Sequence, residues 1–405
     1  MNDHALGFKI IKPLGLKDWK VLVFDDSIAL TKQEYCPADT RTALRVFCTL
    51  IDDKGLKRIR IGWCSDCGYI GYMDRPQEEW MKDFYLSGKW DNGQSNEMPK
   101  KNVRRITNVL SENFGVKNHI VRRIEALPMD RNRPVLEIGC GYGESLGHLK
   151  QMGFTKMVAV ENSTHRADIA VKTLGIEVFT APFEDREVQS ALKKHAPFGL
   201  IFSEHVLEHV YHPEQVIACA ASLQGEGDYL MISVPYFLGE LSMMVIGFLP
   251  HLHSFMPSSL ERLLNARGYQ VVDTLVSEGC NMNVVAQKIS HPRSIEMKAT
   301  VSLEDVREKI IRGLGIGKKP VYSLRRLWWN RKTDIGGQLH FFTNPVLEKI
   351  HYACMSRINH YLHRNVIVRR ATQSLMIRGL SRRYTSSDES MFEIQFEGPI
   401  ILFYK

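Results

Sequence analysis

The residues best suited to chemistry lie in a short glycine-rich segment from Glu137 to Gly143, EIGCGYG. Glycines at a turn let the backbone bend tightly and approach a ligand closely. A dinucleotide-binding loop has its third glycine three positions after the second, whereas Gly143 follows Gly141 by two positions. Glu161 lies 22 residues after Gly139 and can accept hydrogen bonds from both hydroxyls of a ribose. The loop and this acid together predict a nucleoside ligand that is not a dinucleotide.

Three histidines, His205, His209 and His253, are the candidates for acid–base catalysis, because imidazole titrates near neutral pH. The segment SEHVLEHV is expected to be helical, which would place His205 and His209 on one face beside Glu208. They could act on a substrate, hold a divalent metal with Glu208, or be packing residues without chemistry. His253 is either a site residue or a structural histidine. It ends an apolar stretch that is interpreted as a lid or substrate wall, an interfacial segment or a dimer contact.

The spacing of the cysteines indicates a structural zinc site near the N-terminus. Cys64 and Cys67 form a CxxCG turn, which directs two thiolates to one centre. Upstream, Cys36 and Asp39 form a CxxD turn where a zinc ribbon has CxxC. The predicted ligands are therefore Cys36, Asp39, Cys64 and Cys67, with Cys48 as another possible fourth ligand. A metal-free remnant and a redox pair are the alternatives.

The elements that position these residues follow from hydrophobic periodicity. Residues 131–290 alternate strands and helices, which is typical of a parallel sheet with helices on both faces. Residues 1–75 are predicted to form a strand-rich, zinc-ribbon-like module, and residues 76–130 a helical connector or cap. Residues 291–405 are predicted to form a basic C-terminal α+β extension of unknown role.

Composition narrows the class of protein. The chain has 405 residues, of which 44% are hydrophobic and 24% charged, which excludes a largely disordered or fibrous protein. Eight cysteines are too few for a disulfide scaffold, and no apolar run is long enough to span a membrane, so a cytoplasmic location is expected. The net charge is +8, and residues 301–405 hold 18 Lys/Arg against 9 Asp/Glu. This basic quarter, with its SLRRLWWNRK stretch, suits an anionic small molecule, nucleic acid, a protein partner or a solvated surface.

Residues 134–290 resemble the class I S-adenosylmethionine-dependent methyltransferases. The resemblance rests on EIGCGYG, on Glu161, and on the segments SEHVLEHV and HLHSFMPSSLERLLNARGY. It implies a Rossmann-like domain with a mostly parallel seven-stranded sheet, and S-adenosylmethionine as cofactor. The cofactor-binding residues that it implies are Glu137, Gly139, Cys140, Gly141, Gly143, Glu161, Asn162, Phe183 and Ser203.

The segment WCSDCGYIGYMDRPQEEWMKDFYLSGKW resembles the N-terminal zinc-binding module of some sugar and natural-product methyltransferases. This resemblance implies that the module packs over the substrate side of the catalytic domain. It also implies that Tyr85 closes over the cofactor.

The expected function is methyl transfer to a small-molecule biosynthetic intermediate, such as an activated sugar or a secondary metabolite. An RNA methyltransferase that uses the basic C-terminal region is one alternative. A non-catalytic protein that binds the cofactor and serves assembly is the other. Nucleic acid is the less favoured partner, and a homo-oligomer stays open.

Overall fold

The computed structural model describes residues 20–23, 28–51, 58–86, 106–114, 117–236, 250–276 and 281–290, together with three C-terminal strands. The strands are β1 (Lys20–Val23), β2 (Leu30–Lys32), β3 (Arg45–Ile51), β4 (Arg58–Trp63), β5 (Ile70–Tyr72), β6 (Asp74–Pro76), β7 (Val135–Ile138), β8 (Met157–Val160), β9 (Glu177–Phe179), β10 (Leu200–Glu204), β11 (Tyr229–Pro235), β12 (His253–Ser254), β13 (Tyr269–Val276), β14 (Asn281–Lys288), β15 (Leu375–Met376), β16 (Phe392–Phe396) and β17 (Ile401–Tyr404). The helices are α1 (Glu78–Leu86), α2 (His119–Glu125), α3 (Glu144–Gln151), α4 (Thr164–Leu174), α5 (Arg186–Leu192), α6 (Pro213–Ser222) and α7 (Pro257–Asn265).

The larger sheet has seven strands in the order β13-β14-β11-β10-β7-β8-β9. Strands β9, β8, β7, β10 and β11 run parallel, and β14 pairs antiparallel with both β11 and β13. The prediction of a Rossmann-like, mostly parallel seven-stranded sheet is confirmed. Because β7 is the middle one of the five parallel strands and is buried along its whole length, its carboxyl end places the glycine loop in the middle of the parallel edge.

Both faces of this sheet are covered by apolar residues. Leu136 and Ile138 of β7 belong to one core cluster, and Val135 belongs to the other. This alternation follows from the two-residue period of a strand. The first cluster also contains Cys36 and Tyr69, so the cysteine-bearing region and the central sheet share one core.

The second large sheet has the order β12-β5-β4-β3-β16-β15 and is assembled from distant parts of the chain. Strand β16 pairs in parallel with β3, and β12 pairs antiparallel with β5. In a separate pair, β17 lies antiparallel to β1. The C-terminal strands therefore complete the N-terminal sheet, and a zinc-ribbon-like architecture stays a prediction.

One secondary-structure prediction is wrong. The segment from His205 to His209 is a turn, and the next helix, α6, begins only at Pro213. His205 has a φ of 55°, in the left-handed region, which ends β10 abruptly. The two histidines therefore do not share a helix face.

Several expectations fall outside the described residues. They are the apolar stretch at 237–249, the SLRRLWWNRK stretch, and most of the predicted C-terminal α+β extension. Among the residues that the structure does describe, none of the helices has the length and apolar character that crossing a membrane requires.

Candidate cofactor and acceptor site

The glycine loop after β7 adopts a backbone that only glycine enters readily. Gly139, Gly141 and Gly143 have φ values of 74°, 56° and 86°. A Cβ on Gly139 would lie 2.4 Å from Cγ2 of Val206, whereas a Cβ on Gly141 would meet nothing within 4 Å. The loop therefore packs tightly against the turn after β10 on one side and leaves open space for a ligand beside Gly141.

Glu161 lies at the end of β8 and contacts this loop directly. Its Oε2 accepts a hydrogen bond from the Gly141 N–H at 2.8 Å, and its Oε1 accepts one from the Ser163 N–H at 2.9 Å. Each carboxylate oxygen retains acceptor capacity, so both can still receive a ribose hydroxyl. Asn162, beside it, is half-buried. The arrangement places the predicted ribose-binding acid against the predicted cofactor loop.

Glu137 is a buried acid whose Oε2 lacks a hydrogen-bond partner among the described residues. Burial raises the pKa of Glu137 well above its usual range, and the nearby Glu204 and Glu161 add to the rise. A buried acceptor without a donor is costly, so this atom suits a hydrogen-bond donor or a cation supplied by a ligand. Burial also raises the pKa of the neighbouring Cys140 thiol.

Two further predicted cofactor residues are fixed in place by the fold. Ser203 is buried in β10 and lies opposite Ile138 of β7. Phe183 is buried after β9, and its carbonyl accepts a hydrogen bond from the Gln189 amide at 2.6 Å. Their contacts with a cofactor stay predictions.

Glu208 is the centre of a histidine cluster beside the loop. Its Oε1 lies 3.2 Å from Nδ1 of His205, 3.5 Å from Nε2 of His209 and 3.9 Å from Nε2 of His251. Burial alone would raise the pKa of Glu208, but His209 and the hydrogen-bonded His205 outweigh burial and lower it to about 2. Glu208 is therefore ionised at neutral pH.

The members of this cluster differ in exposure. The side chain of His205 is 41% exposed, whereas that of His209 is 13% exposed. His251 was not predicted from the sequence, although it stands two residues before His253 in the same segment. The neighbouring sequence contains no pattern that indicates His251, because its contact with Glu208 joins two segments more than forty residues apart.

Tyr85 contacts this histidine cluster. Its hydroxyl lies 2.9 Å from Nδ1 of His209, and the two rings meet edge to face. Burial raises the pKa of Tyr85 well above its usual range, and Glu208 contributes to the rise. Burial also lowers the pKa of His209. Closure of Tyr85 over the cofactor stays a prediction, and the observed contact is with the histidine turn.

His253 does not have the geometry of a catalytic residue. Its Nε2 donates to the Val210 carbonyl at 2.9 Å, which leaves Nδ1 to accept from the Tyr69 hydroxyl at 2.6 Å. Burial lowers the pKa of His253 to about 3, so the ring is neutral. Because both ring nitrogens are bonded within the protein, the geometry favours the structural histidine over the site residue.

Three of the four predicted zinc ligands lie together. Cys36, Cys64 and Cys67 are fully buried, and their sulfur atoms lie within 4.8 Å of one another, with Cys36 and Cys67 3.6 Å apart. Hydrogen bonding to Cys64 raises the pKa of Cys36, whereas accepting that bond lowers the pKa of Cys64. Gly68 supports the turn with a φ of 74° and donates its N–H to the Cys64 carbonyl.

Asp39 is not part of this cluster, contrary to the prediction. Its Oδ1 accepts from the N–H groups of Arg41 and Thr42, and its Oδ2 forms a 2.5 Å ion pair with Arg262. A short acidic side chain hydrogen-bonds its own turn readily, and that local bonding directs the carboxylate away from the thiols. The side chain of Cys48 lies outside the described residues.

A family model matches the part of the chain that contains the glycine loop. Residues 111–274 match a family model described as a methyltransferase domain. No curated protein matches the chain. Among solved structures, an S-adenosylmethionine-dependent methyltransferase from Thermotoga maritima is 19% identical, with 46% of this chain and 95% of that chain covered and a TM-score of 0.36. The magnesium protoporphyrin IX methyltransferase from Synechocystis PCC 6803, with bound S-adenosylhomocysteine, is 15% identical, with 52% and 100% covered and a TM-score of 0.38.

Residues 111–274 therefore form a methyltransferase domain. The prediction of the enzyme class is confirmed.

Proposed function

We propose that the enzyme methylates a small-molecule biosynthetic intermediate bound beside the turn from His205 to His209. The observation that carries this proposal is the packing of Val206 against Gly139, because it brings the histidine turn into contact with the cofactor loop. The carboxyl edge of a parallel sheet is where such folds collect their ligands. The acceptor would thus lie between the loop and the histidine cluster.

The loop residues fit S-adenosylmethionine. The open space beside Gly141 leaves room for the cofactor, and Glu161 carries free acceptor capacity for its ribose. The unpartnered oxygen of Glu137 suits a donor or a positive charge on its amino-acid part. When bound, the cofactor supplies a methyl group on a positively charged sulfur.

The protein must align the acceptor atom, exclude water and accept a proton where the acceptor carries one. His205 is placed for the last task. Its side chain is exposed, and its Nδ1 lies against Glu208, which fixes the orientation of the ring. An exposed imidazole that a buried carboxylate orients is an arrangement that suits a general base.

A small molecule fits the acceptor side better than a polymer does. Tyr85 and His209 are partly buried there, with the Tyr85 hydroxyl against the His209 ring, and β12 pairs with β5 of the N-terminal sheet. Partly buried side chains suit a small acceptor better than an extended polymer. An RNA substrate would draw on the basic C-terminal quarter, most of which lies outside the described residues.

Activity assays with the full chain test the proposal. Calorimetry with S-adenosylhomocysteine should show binding, and methyl transfer should occur on small acceptors, activated sugars among them, but not on RNA. His205→Gln should lower kcat at least tenfold, a cost of about 1.4 kcal/mol in the barrier, while leaving S-adenosylhomocysteine affinity unchanged. The matched control is His195→Gln, because His195 pairs with Glu177 away from the loop. Transfer to RNA alone, or cofactor binding without transfer to any acceptor, would contradict the proposal.

We also propose that Cys36, Cys64 and Cys67 hold a structural zinc ion. The 3.6 Å between two of the sulfur atoms is close to the separation of about 3.8 Å in a tetrahedral site with Zn–S bonds near 2.3 Å. Buried, unbridged thiols also favour a reducing compartment such as the cytoplasm. Elemental analysis of protein purified without chelators should find zinc that Cys64→Ser removes. Zinc-free protein that is fully folded would contradict this assignment.

A further inference from the structure

A second group of metal-ligating side chains lies outside the thiol cluster. The ligand atoms of Glu208, His209 and His251 lie within 4.8 Å of one another. Nε2 of His209 and Nε2 of His251 are 3.5 Å and 3.9 Å from Oε1 of Glu208. The centroids of the two imidazole rings are 4.7 Å apart. Ligands of a tetrahedral zinc ion with bonds of about 2.0–2.1 Å are separated by about 3.3 Å, so only small movements would close the group around an ion.

The tautomer of His209 points to the same conclusion. Its Nδ1 lies 2.9 Å from both the carbonyl of Pro250 and the hydroxyl of Tyr85; because a carbonyl only accepts, Nδ1 carries the proton and the hydroxyl oxygen is on the accepting side of that contact. In the neutral ring, Nε2 then presents its lone pair towards Glu208. Two electron-rich atoms facing each other in a buried place require a positive charge between them. A backbone carbonyl that holds Nδ1–H and leaves Nε2 for a metal is the usual support of a metal-binding histidine.

The carboxylate supplies independent evidence. The Glu208 side chain is only 1% exposed, and its Oε2 has no hydrogen-bond partner in the part of the chain that the structure describes. A buried carboxylate normally has all its acceptor sites satisfied or coordinates a metal. Oε2 is therefore an acceptor left unsatisfied by the described residues, on the same carboxylate whose Oε1 faces the two histidines.

We propose that Glu208, His209 and His251 form a second metal site, which binds a divalent first-row cation such as Zn²⁺ or Co²⁺. Two imidazoles and one carboxylate match the ligand preference of these ions, and three protein ligands leave a position open. If the proposed function holds, that position takes an oxygen of the acceptor substrate, because the site adjoins the turn that packs on the cofactor loop. The thiol cluster, by contrast, presents sulfur ligands only.

Cobalt titration of the full chain distinguishes the two sites, because thiolate ligands give intense charge-transfer absorption and nitrogen or oxygen ligands do not. Wild-type protein should bind cobalt at both sites. His251→Gln and Glu208→Gln should lose the band without charge transfer and keep the thiolate band, whereas Cys64→Ser should do the reverse. The matched control, His195→Gln, should keep both.

Two outcomes would overturn the site. In one, wild-type protein shows cobalt at thiolates only, which would mean that a shared proton joins His209 to Glu208. In the other, folded His251→Gln retains the nitrogen and oxygen band. Should the variants fail to fold, X-ray absorption of zinc-loaded wild-type protein decides, because a second site adds nitrogen and oxygen ligands to the average shell. Calorimetry with S-adenosylhomocysteine on the same samples tests the proposed function separately.

Discussion

Replacing Glu161 with glutamine tests the ribose-binding assignment directly, because the variant keeps the side chain's shape and removes its charge. In the wild type, one oxygen accepts the Gly141 N–H and the other accepts the Ser163 N–H. Glutamine has one acceptor oxygen, and its amide nitrogen donates. One of the two backbone N–H groups therefore loses its partner, and one of the two ribose hydroxyls loses a charged acceptor.

The losses of stability and of affinity can both be estimated from these lost hydrogen bonds. A buried N–H group without a partner costs about 1–3 kcal/mol in the free energy of unfolding. A lost hydrogen bond to a charged acceptor costs about 1.5–3 kcal/mol of binding free energy, which corresponds to a dissociation constant roughly 10- to 150-fold larger. Affinity for S-adenosylhomocysteine should thus fall by more than an order of magnitude while the protein stays folded.

Isothermal titration calorimetry of wild type and Glu161→Gln with S-adenosylhomocysteine measures the change, and thermal denaturation measures the accompanying loss of stability. Glu177→Gln is the matched control, because Glu177 is exposed and pairs with His195. A dissociation constant for Glu161→Gln within about twofold of the wild-type value would refute the reasoning, because such a change is below about 0.5 kcal/mol.

Three other substitutions and one extraction test the remaining contacts. Gly141→Ala should cost only the left-handed backbone penalty of about 1–2 kcal/mol in stability, whereas Gly139→Ala should cost about 1–3 kcal/mol more because its Cβ would collide with Val206; chemical denaturation compares them. Tyr69→Phe should lower stability by about 1–3 kcal/mol, because Nδ1 of His253 loses its only donor in the described part of the chain; thermal denaturation measures it. Removing metal from the thiol cluster with a chelator should lower the melting temperature, and zinc should restore it.

The central part of the fold could be predicted because its signals are local. Three signals come from short stretches of sequence. They are the buried VLEI strand, the glycines that follow it, and Glu161 at the end of the next strand. Parallel strands bring their carboxyl ends to one edge, so the loop and the acid had to meet there. The observed bond between Glu161 and Gly141 confirms that meeting.

The turn after β10 could not be predicted in the same way. The four-residue spacing of His205 and His209 suits a helix, yet His205 has a φ of 55° and Val206 packs against Gly139. Tertiary packing outweighs the weak helix propensity of so short a segment as SEHVLEHV. The helix starts at Pro213, and a proline in the first turn was a usable signal.

Asp39 and His253 show a different reason for failure. The residue types were suitable, but both side chains are used by partners that the local sequence does not reveal. Arg262 pairs with Asp39 across more than two hundred residues, and Tyr69 pairs with His253 across 184. Strands β16 and β3 pair although they lie even farther apart in the sequence, so hydrophobic periodicity does not predict this pairing.

The segment from Pro250 to Ser254 connects the two clusters of metal-ligating residues. On one side, β12 pairs with β5, which begins three residues after Cys67. On the other side, the Pro250 carbonyl accepts the Nδ1–H of His209. His251 lies between these two attachments, so its position depends on both.

This connection predicts that the two proposed metal sites depend on each other. Strand β5 follows directly on the turn that carries Cys64 and Cys67, and the Ser258 hydroxyl donates to the Cys67 carbonyl at 2.7 Å. Losing metal from the thiols would loosen β5 and with it the strand that fixes His251. Because coupling between two binding sites is reciprocal, a metal at one site should tighten binding at the other by the same factor in either order of addition. Equal cobalt affinity at the Glu208 site in wild type and in folded Cys64→Ser would show that the segment carries no such coupling.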